Sequence, residues 1–307
     1  MLISSVAKAD MLEGKSVEQT SHPGTGKVEA VHGPSRQKRG ASAAPAQVST
    51  VKVPGKPVDR TLFCRHEIKY RINEIQAAAV SEFIRPYLQL DRYSKLRRDR
   101  AYPIVSLYLD SENMLLCRQS LRGHKNRFKL RIRSYTDEPG YPRFFEIKRR
   151  LNTIIIKNRA RVRNQDVAAL LSGSSLPPQD YSTDENTLNQ FQLYMDSINA
   201  KPVVLIRYMR QAYEDSSHNR VRVTFDRELC YNVTREPRVL FNGQGWQPHP
   251  ISWGGVILEI KFTARYPAWL GRMVGCLSLR QDSFSKYATS VTNACSLGFC
   301  GPQLLSV

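Results

Sequence analysis

The sequence predicts an α+β protein, mainly antiparallel β, in which a closed eight-stranded β-barrel carries flanking helices. Two observations predict it. Beyond residue 60 the chain becomes a series of short runs in which apolar and polar residues alternate, joined by short polar connections, as antiparallel strands are. The polar positions within those runs are dominated by cations, which a closed barrel would gather into a single lumen.

The first candidate strand is 64–71 (CRHEIKYR), and Asn73 is a plausible N-cap for a helix over 74–88 that Pro86 should end or bend. Further strands are predicted at 103–109 (PIVSLYL), 126–135 (NRFKLRIRSY), 143–150 (RFFEIKRR) and 153–159 (TIIIKNR). Helices fit 165–171 and 185–199, with 172–184 read as a loop. The remaining strands are 203–214 (VVLIRYMRQAYE), 219–226 (NRVRVTFD) and 255–263 (GVILEIKFT), followed by a helix at 267–279. Residues 1–58 hold no Phe, Trp or Tyr and no sustained period, so they are expected to be a disordered tail, leaving 59–307 as the folded domain.

Charge narrows the function. The net charge is +19, of which the tail carries only +4 (eight basic, four acidic residues), so +15 belongs to the folded part. That favours a polyanionic partner. In 128–133, Phe128, Leu130 and Ile132 point to one side of a strand while Lys129, Arg131 and Arg133 point to the other. The pattern recurs with Glu146, Lys148 and Arg150, with Arg220 and Arg222, with Glu259 and Lys261, and with Glu67 and Lys69. A polar outer face is the ordinary explanation for any one such strand. Repeated faces of one sign are not ordinary, because like charges opposed across a sheet repel.

Six scattered cysteines without a C-x-x-C pair signal neither a zinc site nor a disulfide framework and read as reduced, mostly buried thiols. His22, His32, His66, His124, His218 and His249 form no metal or catalytic pairing and read as structural. No phosphate-cradling glycine loop is visible, and Trp246, Trp253 and Trp269 read as packing residues. No signal peptide or membrane span is legible, so the expected location is cytoplasmic.

The runs HEIKY (66–70), YPIVSLYLD (102–110), NRFKLRIRSY (126–135), FFEIKRR (144–150), YMRQAY (208–213), VRVTFDREL (221–229), LEIKF (258–262) and SFSKY (283–287) resemble the VTC domain, the polyphosphate polymerase domain of the vacuolar transporter chaperone family. The resemblance implies a triphosphate-tunnel fold whose lumen takes ATP, inorganic polyphosphate and a divalent metal, Mn²⁺ or Mg²⁺. It implies tunnel-wall roles for Lys69, Arg131, Arg133, Lys148, Arg210, Arg222 and Lys286. Lys129 and Lys261 are further candidates for substrate binding, with one of Lys157 and Arg159 at a basic position whose register the sequence leaves open. It implies that Glu259 holds the metal, with Glu146 and Glu67 as weaker candidates. Hydrolytic tunnel proteins open with E-x-E-x-K, whereas Arg65, Glu67 and Lys69 stand here, which favours holding phosphate chains over activating water. Coupling to transport would require a membrane-protein subunit that this chain does not encode, and the chain would be peripheral to the membrane through it.

The expected activity is therefore transfer of the ATP γ-phosphate to a growing polyphosphate chain. The alternatives are a non-catalytic polyphosphate or nucleotide-binding module, a tunnel-type triphosphatase, and a nucleic-acid-binding protein. The last is disfavoured because the cations alternate within strands and no recognition helix is visible.

Overall fold

The computed structural model describes residues 65–152, 154–174, 182–215, 221–252, 255–263 and 265–298. The predicted tail, residues 1–58, lies outside them.

Eight strands form the main path of one antiparallel sheet: β1 (Arg65–Ile72), β3 (Tyr102–Asp110), β4 (Asn126–Ser134), β5 (Arg143–Leu151), β6 (Ile154–Val162), β7 (Lys201–Glu214), β8 (Val221–Val233) and β10 (Val256–Thr263). They are ordered β1-β10-β8-β7-β3-β4-β5-β6. Two short strands, β2 (Gln89–Leu90) and β9 (Gln247–Pro248), pair with β7 and β8.

The closed barrel expected from the sequence is not what the backbone forms. β1 pairs with β10 and β6 with β5, and the two terminal strands share no ladder, so the sheet stays open between them. It nonetheless curls. Lys148 on β5 reaches Glu67 on β1 at 3.2 Å, and Lys69 on β1 and Lys129 on β4 reach adjacent residues, the Phe284 carbonyl (3.2 Å) and Ser285 Oγ (2.7 Å). Side chains bridge the seam where backbone hydrogen bonds would close a barrel. Period-two alternation is the same in an open and a closed sheet, so the sequence could not separate them.

The outer faces are covered by helices. Asn73 caps α1 (Glu74–Ile84) in a capping box with Gln76, as its position ahead of an apolar run predicts, and the helix ends before Pro86. Its Ala77, Val80 and Ile84 lie at helical spacing and pack with α6 (Ala268–Cys276) over Val223, Phe225, Leu258 and Ile260. On the other side of the sheet path, α4 (Val167–Leu171) and α5 (Ser182–Ser197) cover Leu107, Leu130, Ile132, Phe145 and Ile147.

Three helices were not legible: α2 (Arg92–Lys95), α3 (Leu115–Leu121) and α7 (Lys286–Ser296). The first two are too short to show a period. α3 depends on Asp110 at the end of β3, whose carboxylate accepts from the Leu116 and Cys117 N–H groups (both 2.9 Å) and from the Tyr287 hydroxyl (2.5 Å). α7 is polar and rich in β-branched residues, and tertiary packing holds it: Tyr287, Ala288, Val291 and Ala294 pack with Ile104, Tyr108, Ile206, Tyr231 and Ile257 on the inner faces of the sheet. This helix therefore fills part of the space the sheet curls around. Of the described cysteines, Cys117 and Cys295 are buried, Cys230 is half-buried and Cys276 exposed. The expectation of mostly buried thiols thus holds for two of the four.

Candidate phosphate-binding lumen

Strand alternation puts the cationic positions on the concave side. On β4, β5 and β6 they form two cross-strand rows. Arg131 faces Glu146, which faces Arg159; one step along, Lys129 faces Lys148, which faces Lys157. The first row carries its own anion. Glu146 is fully buried and accepts from Arg131 (2.6 Å), Lys157 (2.8 Å) and Arg159 (2.7 Å). Burial alone would push its carboxyl up, but Arg131, Arg133, Lys157 and Arg159 outweigh that and hold it far below the usual carboxylate range. Both Lys157 and Arg159 face inward, two residues apart on β6.

The second row holds three lysines and no carboxylate of its own. Lys148 borrows Glu67 from across the seam, Lys157 leans to Glu146, and Lys129 meets the Ser285 hydroxyl and the face of the Tyr287 ring. Burial, together with Lys148, Lys69, Arg127 and Arg131, pushes the Lys129 amine down to about 7. Arg133 is buried, and among the described residues its hydrogen bonds go to hydroxyls, Ser106 Oγ at 3.1 Å and Tyr208 Oη at 3.3 Å. A guanidinium placed so, without a bound carboxylate, keeps donors free for another anion.

A second group stands on β7, β8, β10 and α7. Asp226 accepts from Arg210 through two bonds (2.6 and 2.7 Å) and from Lys286 (2.7 Å). Glu259 lies 2.9 Å from Lys261, 3.6 Å from Arg210 and 3.8 Å from Lys69. Burial raises the Glu259 carboxyl, but Lys261, Lys69, Lys286 and Arg210 outweigh it and hold the group ionised. Lys286 opens α7, where Ser285 is the N-cap and His249 donates from Nε2 to the Lys286 carbonyl (3.0 Å). Ile251 N–H donates to His249 Nδ1, so the ring is neutral and structural; burial, the largest effect, pushes it down to about 4. At the far end of β8, Arg222 bridges Asp91 (2.7 Å) and Glu214 (2.5 Å).

Of the candidate site cations, Lys69, Lys129, Arg131, Arg133, Lys148, Lys157, Arg159, Arg210, Lys261 and Lys286 sit on the inward face, with Arg222 toward its rim, while Arg220 lies outside the described residues. Sequence reasoning did not single out Asp226, Asp91, Ser285, Tyr108 or Tyr208. Asp226 had a signal, since it continues the Arg222, Thr224 alternation; Asp91 had none, because it reaches the lumen from a connection. Trp246 packs against Arg207 and Trp269 stacks on Tyr87, while Trp253 lies outside the described residues.

The divalent metal can be tested against the donors present. Among the described residues no three His, Cys, Asp or Glu side chains gather as a metal site. Glu259 does face Thr224 across the β8–β10 ladder, and the buried Thr224 hydroxyl has no hydrogen-bond partner among the described residues. One carboxylate and one spare hydroxyl suit a hard cation that takes most of its oxygens from phosphate, as Mg²⁺ and Mn²⁺ do.

A profile of the VTC domain matches residues 64–294, well over half of the chain. This chain belongs to the VTC domain family. The expectation of a tunnel-type protein that binds polyphosphate or nucleotide accords with that membership. Similar solved structures include a candidate adenylate cyclase from Bacillus halodurans (12% identity, 72% of this chain and 95% of that one, TM-score 0.40). Another is the PH1819 protein from Pyrococcus horikoshii (13% identity, 75% and 98%, TM-score 0.38). At these scores neither bears on what this VTC domain does. No curated protein matches the chain. No helix among the described residues is long and apolar enough to cross a membrane.

Proposed function

We propose that this VTC domain transfers the γ-phosphate of ATP to the end of an inorganic polyphosphate chain and releases ADP. The observation that carries the reading is the convergence of Arg131, Arg133, Lys148, Arg210 and Lys286 on one concave face, with Arg133 hydrogen-bonded, among the described residues, to hydroxyls. Phosphoryl transfer asks for positioning and charge neutralisation rather than a protein nucleophile. Arginine forks would hold the transferring and accepting phosphates, and Lys69, Lys129, Lys148, Lys157, Lys261 and Lys286 would act as point charges. Glu259 would be the protein ligand of Mn²⁺ or Mg²⁺, which when bound stabilises the leaving diphosphate.

A second reading is a catalytically silent polyphosphate or nucleotide binder. It is favoured by one observation: Glu259 is already engaged by Lys261, with Arg210 and Lys69 close by, so a metal must compete with ammonium groups. Turnover separates the two. Purified protein with ATP and Mn²⁺ should make a long phosphate polymer, and Glu259→Gln should make little. No polymer from wild type, with triphosphate binding retained, favours the silent binder. Competition between single-stranded RNA and tripolyphosphate for the same site would favour a nucleic-acid surface instead.

A further inference from the structure

We propose that the exposed basic segment 91–100 is a second, external polyanion site, which takes the part of a long phosphate chain that has left the lumen; this rests on the reading of the lumen as a phosphate-chain site. The segment, DRYSKLRRDR, holds five cations (Arg92, Lys95, Arg97, Arg98 and Arg100) against two aspartates. Its place is fixed by backbone bonds to β7. Asp91 N–H donates to the Ala212 carbonyl (2.8 Å), and Ala212 N–H donates to Ser94 Oγ (3.1 Å). β2, just ahead, pairs Gln89 with Glu214.

That is the end of the sheet at which Arg222 stands, and Asp91 joins the two. Its Oδ1 accepts from Ser94 N–H and its Oδ2 from Arg222, so this carboxylate faces inward and is consumed there. Asp99 is then the one acid the segment shows to solvent, beside exposed Lys95, Arg98 and Arg100. Among the described residues the Lys95 amine donates to a neutral amide, Gln89 Oε1 at 3.2 Å.

The direction of a bound chain follows from what fills the other end. The apolar side of α7 packs against the inner faces of β3, β7, β8 and β10, whereas Lys286 at its start points at Asp226 and the cations around it. A phosphate chain held at Lys286 and Arg210 meets packed side chains one way. The other way it meets Arg222, four residues along β8 or roughly 13 Å at the rise of a strand, and then the segment 91–100. A chain of three phosphates would end inside the lumen. A long one would lie across Lys95, Arg97, Arg98 and Arg100, releasing counterions as any polyanion does on a basic surface.

The test compares wild type with the quadruple variant Lys95→Ala, Arg97→Ala, Arg98→Ala, Arg100→Ala, in the full chain, by titration with tripolyphosphate and with long-chain polyphosphate over a range of salt. The expected result is unchanged tripolyphosphate affinity, long-chain affinity lower by about tenfold or more at low salt, and a shallower salt dependence for the long chain. Equal long-chain affinity in the two proteins overturns the proposal. So does a variant that binds long chains as wild type does but loses binding to phosphatidylserine vesicles, which would make the segment a membrane contact. Failure of wild type to bind tripolyphosphate would defeat the reading of the lumen instead; long-chain binding that is present there and lost in the variant would uphold the outer site alone.

Discussion

Lys148 on β5 and Glu67 on β1 meet at 3.2 Å although their strands stand near opposite ends of the hydrogen-bonded sheet. The pair draws the two margins of an open sheet together. Glu67 also lies 3.3 Å from Lys69 on its own strand and 3.9 Å from Lys261 on the paired β10, so one carboxylate serves three ammonium groups, of which Lys148 comes from across the seam.

Replacing Glu67 with Gln should therefore lower stability, by about 1 kcal/mol because the pair is partly open to water. Tripolyphosphate should restore much of the loss, since it offers the same lysines another anion. Calorimetry with and without the ligand checks this. An unchanged melting temperature would mean that the seam needs no carboxylate.

Arg131 and Arg133 should separate cleanly. Arg131 belongs to the buried Glu146 cluster, so Arg131→Ala weakens both the fold and triphosphate binding, whereas Arg133 donates to the Ser106 and Tyr208 hydroxyls and acts on Glu146 at longer range. Arg133→Ala should lower the unfolding midpoint less than Arg131→Ala does while costing about 1.5–3 kcal/mol of triphosphate affinity, the worth of a charged hydrogen bond. Glu146→Gln should be the damaging change, about 3 kcal/mol or more, because it leaves Arg131, Lys157 and Arg159 crowded without their anion. Urea titrations and binding isotherms on the same three variants test the separation; equal stability of all three would refute it.

Much of this was legible because a strand's period is rigid. Once Lys129, Arg131 and Arg133 alternate with Phe128, Leu130 and Ile132, a face is defined whatever the tertiary fold, and the structure puts that face inward. What the sequence hid depends on contacts distant along the chain. Asp91 meets Arg222 from 131 residues away, Ser285 meets Lys129 from 156, and the packing of α7 into the curl rests on apolar contacts that its own polar sequence does not announce. Closure of the sheet was misjudged for the same reason, since pairing between β1 and β6 leaves no trace in either strand's alternation.

Protonation of Lys129 should show as two opposite pH trends. The amine sits at about 7 in the folded protein, below its unfolded value, so between about pH 7 and 10 the unfolded chain binds more protons and stability without ligand should rise with pH. Phosphate favours the ammonium form, so over the same range triphosphate binding must take up a proton and affinity should fall. Lys129→Met should reduce both trends, the remainder coming from Lys157, whose amine burial also pushes down to about 7. Titration calorimetry in two buffers of different ionisation enthalpy reads the proton uptake, and identical heats in both buffers would count against it.

Crystals soaked with a non-hydrolysable ATP analogue and Mn²⁺ decide whether these inward cations act as one site. The triphosphate should lie between Arg131 and Arg133 on one side and Arg210 and Lys286 on the other, with the metal beside Glu259. Density for the triphosphate on the outer face, or scattered over separate lysines with the lumen empty, would contradict the account.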